Sequence, residues 1–245
     1  MEFEVLLRRL TDRRGWNAVA VARETGGDVA APESLRHLAP VLGWHAADLF
    51  VLAGQDLPAD LAPTDPKADP GLIAWDYVAM PLARPTLLAA ARAMPQLPLV
   101  GLLPPPLRPF PEDKTSAIIG RLLHYRNFKG TSPAQLLLYS GGPYLSRPTV
   151  NQIALGGKAL DPQLVSGFAY FLGIPVGDLA VLCDVAVTEN ISAPAYADGL
   201  AELMWEGRRL TFQQIRELVE LGHDLRHRFD VELDESVRCH CGRGR

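Results

Sequence analysis

The chain is predicted to be all-α, on three observations. Apolar residues recur at three- and four-residue spacing through most segments that are not rich in proline. Those segments open on Ser, Thr, Asp or Pro and close on Gly, the residues that start and stop helices. No segment alternates apolar with polar residues well enough to be a strand. At 245 residues and 48% hydrophobic, the chain has ample apolar surface for a packed core, which excludes a disordered chain.

Taken in order, FEVLLRRLTDRR places Phe3, Leu6, Leu7 and Leu10 on one helical face with arginines outward, and Gly15 ends that helix. A short helix is expected over Trp16–Glu24. Pro32 then starts one that runs to Leu42 and stops at Gly43, and Ala46–Ala53 makes another. Helices this short need one another, so residues 1–56 are expected to form a compact bundle. Residues 57–113 read as a linker with a helical stretch at 72–94, interrupted by Pro81 and Pro85. Residues 95–111 hold seven prolines in 17 positions, which favours an extended spacer, and the main domain boundary is placed there.

A second helical domain is expected over 114–187. Lys114–Phe128 turns Ile118, Ile119, Leu122 and Leu123 inward. Ser132–Tyr139 has Thr131 or Ser132 as its cap and Pro133 in the first turn. Pro148–Leu155 is capped by Ser146 or Arg147, Pro162–Leu172 is opened by Asp161 and closed by Gly173, and Val176–Val187 follows. Residues 188–245 add helices at Ala195–Trp205 and Thr211–Arg228, the latter opening on a Thr211/Gln214 capping box, and then a tail.

Gly26–Gly54 aligns without gaps on Gly156–Asp184 at an offset of 130, with ten of 29 positions identical, Asp48-Leu49 and Asp178-Leu179 among them. The first helices match at an offset of 115, so the second copy is 15 residues longer. The excess contains SRPTVNQIAL.

Pro133-Ala134-Gln135-Leu136-Leu137, Leu145 through Ile153, Gly156-Gly157-Lys158, Pro162 and Phe171-Leu172-Gly173-Ile174 together resemble the Xre, or lambda-repressor-like, helix-turn-helix family of bacterial regulators. The resemblance covers 114–187, and 3–54 as a truncated copy. It implies two lambda-repressor-like bundles, the first lacking its recognition helix, joined by the proline-rich linker. In such proteins one helix braces the DNA backbone and the next enters the major groove. Val150 and Ile153 share one face and can pack on Leu136 and Leu137, leaving Arg147, Thr149, Asn151 and Gln152 to read base edges. Lys129, Thr131, Ser132, Ser146 and Lys158 are placed for phosphate. The turn Ser140–Tyr144 is longer than the family's usual one: either it bulges with the helices unchanged, or the second helix is re-aimed.

A net charge of −4 argues against a chain that coats nucleic acid over its whole surface. Yet Lys114–Leu160 carries six basic residues and no acid, as a localised phosphate-binding face would. Cys183 lies in an apolar run and reads as core. Cys239-His240-Cys241 is half of a metal site with no second half and reads as a frayed tail. His223 and His227 read as a solvated helix face, and Trp16, Trp44, Trp75 and Trp205 as core anchors. No P-loop, dinucleotide fingerprint, nucleophile elbow or paired metal motif occurs, so no enzyme, cofactor or metal is expected. With no leader and no membrane-spanning run, a cytoplasmic, nucleoid-associated location is expected. The expected function is sequence-specific binding of double-stranded DNA by a transcriptional regulator, as a possible homodimer through the C-terminal helices or the N-terminal copy. The alternative is a protein-interaction adaptor built from two helix-turn-helix scaffolds. The stripe Ile215, Leu218, Leu225 and Phe229 can either pack on the body or dimerise.

Overall fold

A computed structural model of the chain describes residues 2–16, 28–187 and 194–241. Its α-helices are α1 (Phe3–Arg13), α2 (Pro32–Leu42), α3 (Ala46–Leu52), α4 (Ala74–Ala79), α5 (Arg84–Ala93), α6 (Ala117–Tyr125), α7 (Ser132–Tyr139), α8 (Arg147–Ala154), α9 (Pro162–Leu172), α10 (Val176–Cys183), α11 (Leu200–Gly207) and α12 (Phe212–Cys241). Short 3₁₀ turns occupy Pro70–Ile73, Pro81–Ala83 and Ala195–Ala197. No strand occurs among the described residues, so the chain is all-α. The helix expected over Trp16–Glu24 lies outside the described residues from 17 onward, as do the side chains of Phe229, Cys239, His240 and Cys241.

Local chemistry sets the boundaries. Asp161 Oδ1 accepts from the Leu164 N–H at 2.8 Å and opens α9. Gln214 Oε1 accepts from the Thr211 N–H at 2.9 Å while Thr211 Oγ1 accepts from the Gln214 N–H at 3.3 Å, closing the capping box that starts α12. The helix expected over Ala195–Trp205 is broken instead: a 3₁₀ turn ends at Ala197, Gly199 takes φ +73°, and α11 begins at Leu200.

The sequence repeat recurs in the backbone. α2 packs on α3 as α9 packs on α10. Gly43 and Gly173 end α2 and α9 at φ 65° and 64°; the Trp44 N–H reaches back to Ala39 at 2.9 Å, and the Ile174 N–H to Ala169 at 3.0 Å. The first helices then cross over: α1 packs against α10, and α6 packs against α3. Each junction buries one carboxylate from the repeat against an arginine just past a first helix. Arg126 Nε donates to Asp48 Oδ1 at 3.0 Å, and Arg14 Nε donates to Asp178 Oδ1 at 3.3 Å, where Trp44 Nε1 adds a bond at 3.1 Å. Asp48 and Asp178 are 2% and 1% exposed. For Arg126 and Asp48, whose side chains are 3% and 2% exposed, removing one member leaves a buried charge, at a cost of about 3–5 kcal/mol.

Residues 57–62 stay at the surface, but 63–65 and 68–70 are buried. Thr64 Oγ1 donates to the Arg209 carbonyl at 2.6 Å, and the Asp65 carbonyl accepts from Asn127 Nδ2 at 2.9 Å. One continuous apolar core extends from Phe3 to Leu225, across the proline-rich segment. Ile215, Leu218 and Leu225 are buried in that core, so this part of the α12 stripe packs on the body. Trp44 is buried, Trp16 and Trp205 are half-buried, and Trp75 is 52% exposed, which removes it from the core anchors.

Candidate nucleic-acid interface

α7, the turn after it and α8 form the candidate site. The turn bulges: Gly141 takes φ +80° and the Gly142 N–H bonds back to the Leu137 carbonyl at 2.9 Å. A β-carbon on Gly167 of α9 would lie 3.1 Å from Gly142 Cα, so two glycines let the long turn sit down on α9. α8 begins at Ser146, whose Oγ accepts from the Thr149 N–H at 3.4 Å. Its inner face is Val150 and Ile153, 5% and 0% exposed, each worth roughly 1.5–3 kcal/mol of burial. α8 lies closely on α6 because position 120 is Gly; a β-carbon there would stand 2.7 Å from the Ala154 carbonyl oxygen.

Arg147, Asn151 and Gln152 are exposed on the side of α8 away from Val150 and Ile153. They divide between two edges. Arg147 and Asn151, one turn apart, line the same groove, whereas the Gln152 side chain lies against Gly157 in the exit loop. Thr149 is half-buried, with its hydroxyl 2.9 Å from Ser146 Oγ, so Ser146 and Thr149 cap the helix together. Thr131 and Lys158 are exposed.

Two residues expected at phosphate have partners inside the protein. Ser132 is 2% exposed and its hydroxyl donates to Asp69 Oδ2 at 2.7 Å, which turns it inward. Lys129 donates its ammonium to the Pro66 carbonyl. The six-charge block is not one face either. Arg126 is buried against Asp48, Arg121 is half-buried with its Nε unpartnered, and Lys114 pairs with Asp113 at 3.6 Å. Of the six, Arg147 and Lys158 are exposed and have no acidic partner among the described residues.

The proline-rich segment supplies residues that the sequence reading passed over. Phe110 meets the His124 ring edge-on at 6.0 Å. Burial pushes the His124 imidazole below its ordinary value, against the opposing influence of the Pro104 backbone. Between residues 106–110 and α8 runs a groove of about 430 Å³, lined by Arg108, Phe110, Leu123, Phe128, Val150 and Asn151 among others. An aromatic amid prolines was the signal in the sequence that this spacer is fastened to something.

Among the described residues no group of His, Cys, Asp and Glu is arranged to hold a metal ion, and no helix is long and apolar enough to cross a membrane. Cys183 is buried, and burial pushes its thiol up to about 12. Comparison with family models, curated proteins and solved structures finds no match to this chain.

Proposed function

We propose that the chain is a sequence-specific double-stranded DNA-binding protein, a transcriptional regulator of the cytoplasm and nucleoid, that places α8 in the major groove. The observation that carries this reading is the segregation of α8: Val150 and Ile153 are buried, while Arg147, Asn151 and Gln152 stand exposed beyond a bracing helix. Arg suits guanine O6/N7, and Asn and Gln suit adenine N6/N7. Lys158 and Thr131 flank them as phosphate contacts. In this reading the chain holds two helix-turn-helix bundles, the first without a recognition helix; the matched ends of α2 and α9 and the crossed first helices support the duplication.

A gel shift on selected duplexes tests it. Replacing Arg147 and Asn151 together with Ala is expected to weaken the preferred site at least thirtyfold, from roughly 1–3 kcal/mol per contact, with far-UV circular dichroism unchanged. An unaltered sequence preference would sink the assignment.

A second reading, a protein-interaction adaptor, is favoured by one surface. Leu72, Trp75 and Leu138 are 47%, 52% and 41% exposed, and the Trp75 and Tyr139 rings lie 6.0 Å apart. An adaptor would bind no duplex in a salt-dependent way, whereas phosphate contacts make affinity fall steeply with salt.

A further inference from the structure

We propose that the groove between the proline-rich segment and α8 binds a small amphiphilic monoanion, a carboxylate on an apolar body. Its volume, about 430 Å³, is in the range of small-molecule sites. Its floor is apolar: Leu123, Phe128 and Val150 are 5%, 8% and 5% exposed, with Phe110 above them. Each methylene laid there gains about 0.8 kcal/mol by leaving water. The rim carries the opposite chemistry. Arg108 and Arg147 are exposed at its edge, no Asp or Glu lines it, and neither arginine has an acidic partner among the described residues. A planar guanidinium matches a carboxylate with two parallel hydrogen bonds.

The lining also excludes other occupants. Two guanidiniums repel an ammonium, and a neutral hydrocarbon would leave the rim unanswered. The walls are held in place, since Phe110 meets the His124 ring edge-on at 6.0 Å and α8 is held on α6 at Gly120. A headgroup on Arg147 takes the residue that would read guanine, so the ligand competes with DNA; this consequence, unlike binding itself, rests on the function proposed above.

The test is isothermal calorimetry on the full chain with decanoate, decan-1-ol and decylammonium. Decanoate is expected to fill one saturable site, decan-1-ol to bind at least tenfold more weakly and decylammonium not at all. Arg147→Gln, at an exposed position, is expected to weaken decanoate at least tenfold, and Asn151→Trp, which plugs the groove from its exposed wall, to abolish binding, both with unchanged circular dichroism. Absence of saturable decanoate binding, equal binding of the alcohol, or indifference of decanoate to both variants would overturn the proposal. A gel shift with decanoate then separates the two readings: calorimetric binding without loss of DNA affinity refutes the competition alone, and a chain that binds no duplex refutes the DNA function while leaving the calorimetry to decide the groove.

Discussion

His45 lies flat on the Trp205 indole, with ring centroids 3.4 Å apart and planes 4° from parallel. The Arg208 and Arg126 guanidiniums stand 4.1 and 5.2 Å from the same indole. Burial first, and then the charge of Arg126, push the imidazole from 6.5 down to about 4. The folded state therefore holds His45 neutral while the unfolded chain takes up a proton below pH 6.5. The stability held above that pH is lost as pH falls toward 4, by about 2 kcal/mol between pH 7 and pH 5. Urea titrations at those two pH values are expected to show this loss in the wild type and much less of it in His45→Phe, which keeps a ring on Trp205 but cannot titrate. Equal losses in the two proteins would show that the acid sensitivity lies elsewhere. The same surroundings explain why residue roles inside the charge block could not be read from spacing. Arg126 and Arg147 are equivalent in a string of letters, yet one ends α6 facing Asp48, 78 positions away, and the other starts α8 facing solvent.

At the scale of elements, most of the secondary structure was legible because it is written locally. Asp161 opens α9, Thr211 and Gln214 open α12, and Gly43 and Gly173 end their helices, all through bonds spanning a few residues. The burial of Val150 and Ile153 and the exposure of Arg147, Asn151 and Gln152 follow from helical period in the same way. What was not legible depends on partners distant in sequence, such as Asp69 beneath Ser132, Pro66 at Lys129, and Phe110 against His124. Gly120 shows how one residue fixes an element. In an ordinary helix Gly→Ala stabilises by about 0.5–1 kcal/mol, but here the new methyl would stand 2.7 Å from a backbone carbonyl and 2.8 Å from Phe110 Cε1. Gly120→Ala is therefore expected to destabilise by roughly 1–3 kcal/mol and to shift α8 from its seat, lowering duplex and decanoate binding together. A stabilised variant in a urea titration would refute the close packing.

At the scale of the molecule, the exchange of first helices decides how the chain folds. Alignment of the two copies reveals their likeness but not the crossing, because each contact of the exchange joins a residue of one copy to the other, Arg14 to Asp178 and Arg126 to Asp48. The proline-rich segment looked like a domain boundary on composition alone; the apolar core passes over it without a break. Neither set of helices then has a complete core of its own. Deleting residues 1–56 would uncover the faces of α10 and α6 that α1 and α3 cover. It would also remove the partners of two ion pairs, Arg14 from Asp178 and Asp48 from Arg126. Water would reach both groups once their cover is gone, so the loss lies mainly in the shared apolar core, to which residues 1–56 contribute Leu6, Leu10, Leu49 and Phe50 among others. At roughly 1.5–3 kcal/mol for each such side chain, it rivals the whole stability of a domain, roughly 5–15 kcal/mol. Residues 57–245 alone are thus expected to lose the cooperative thermal transition of the full chain, and a separate peptide of residues 1–56 to restore part of it, both followed by circular dichroism at 222 nm. A fragment that melts cooperatively with full helicity would mean that the second set of helices is self-sufficient and that the crossed helices merely decorate it.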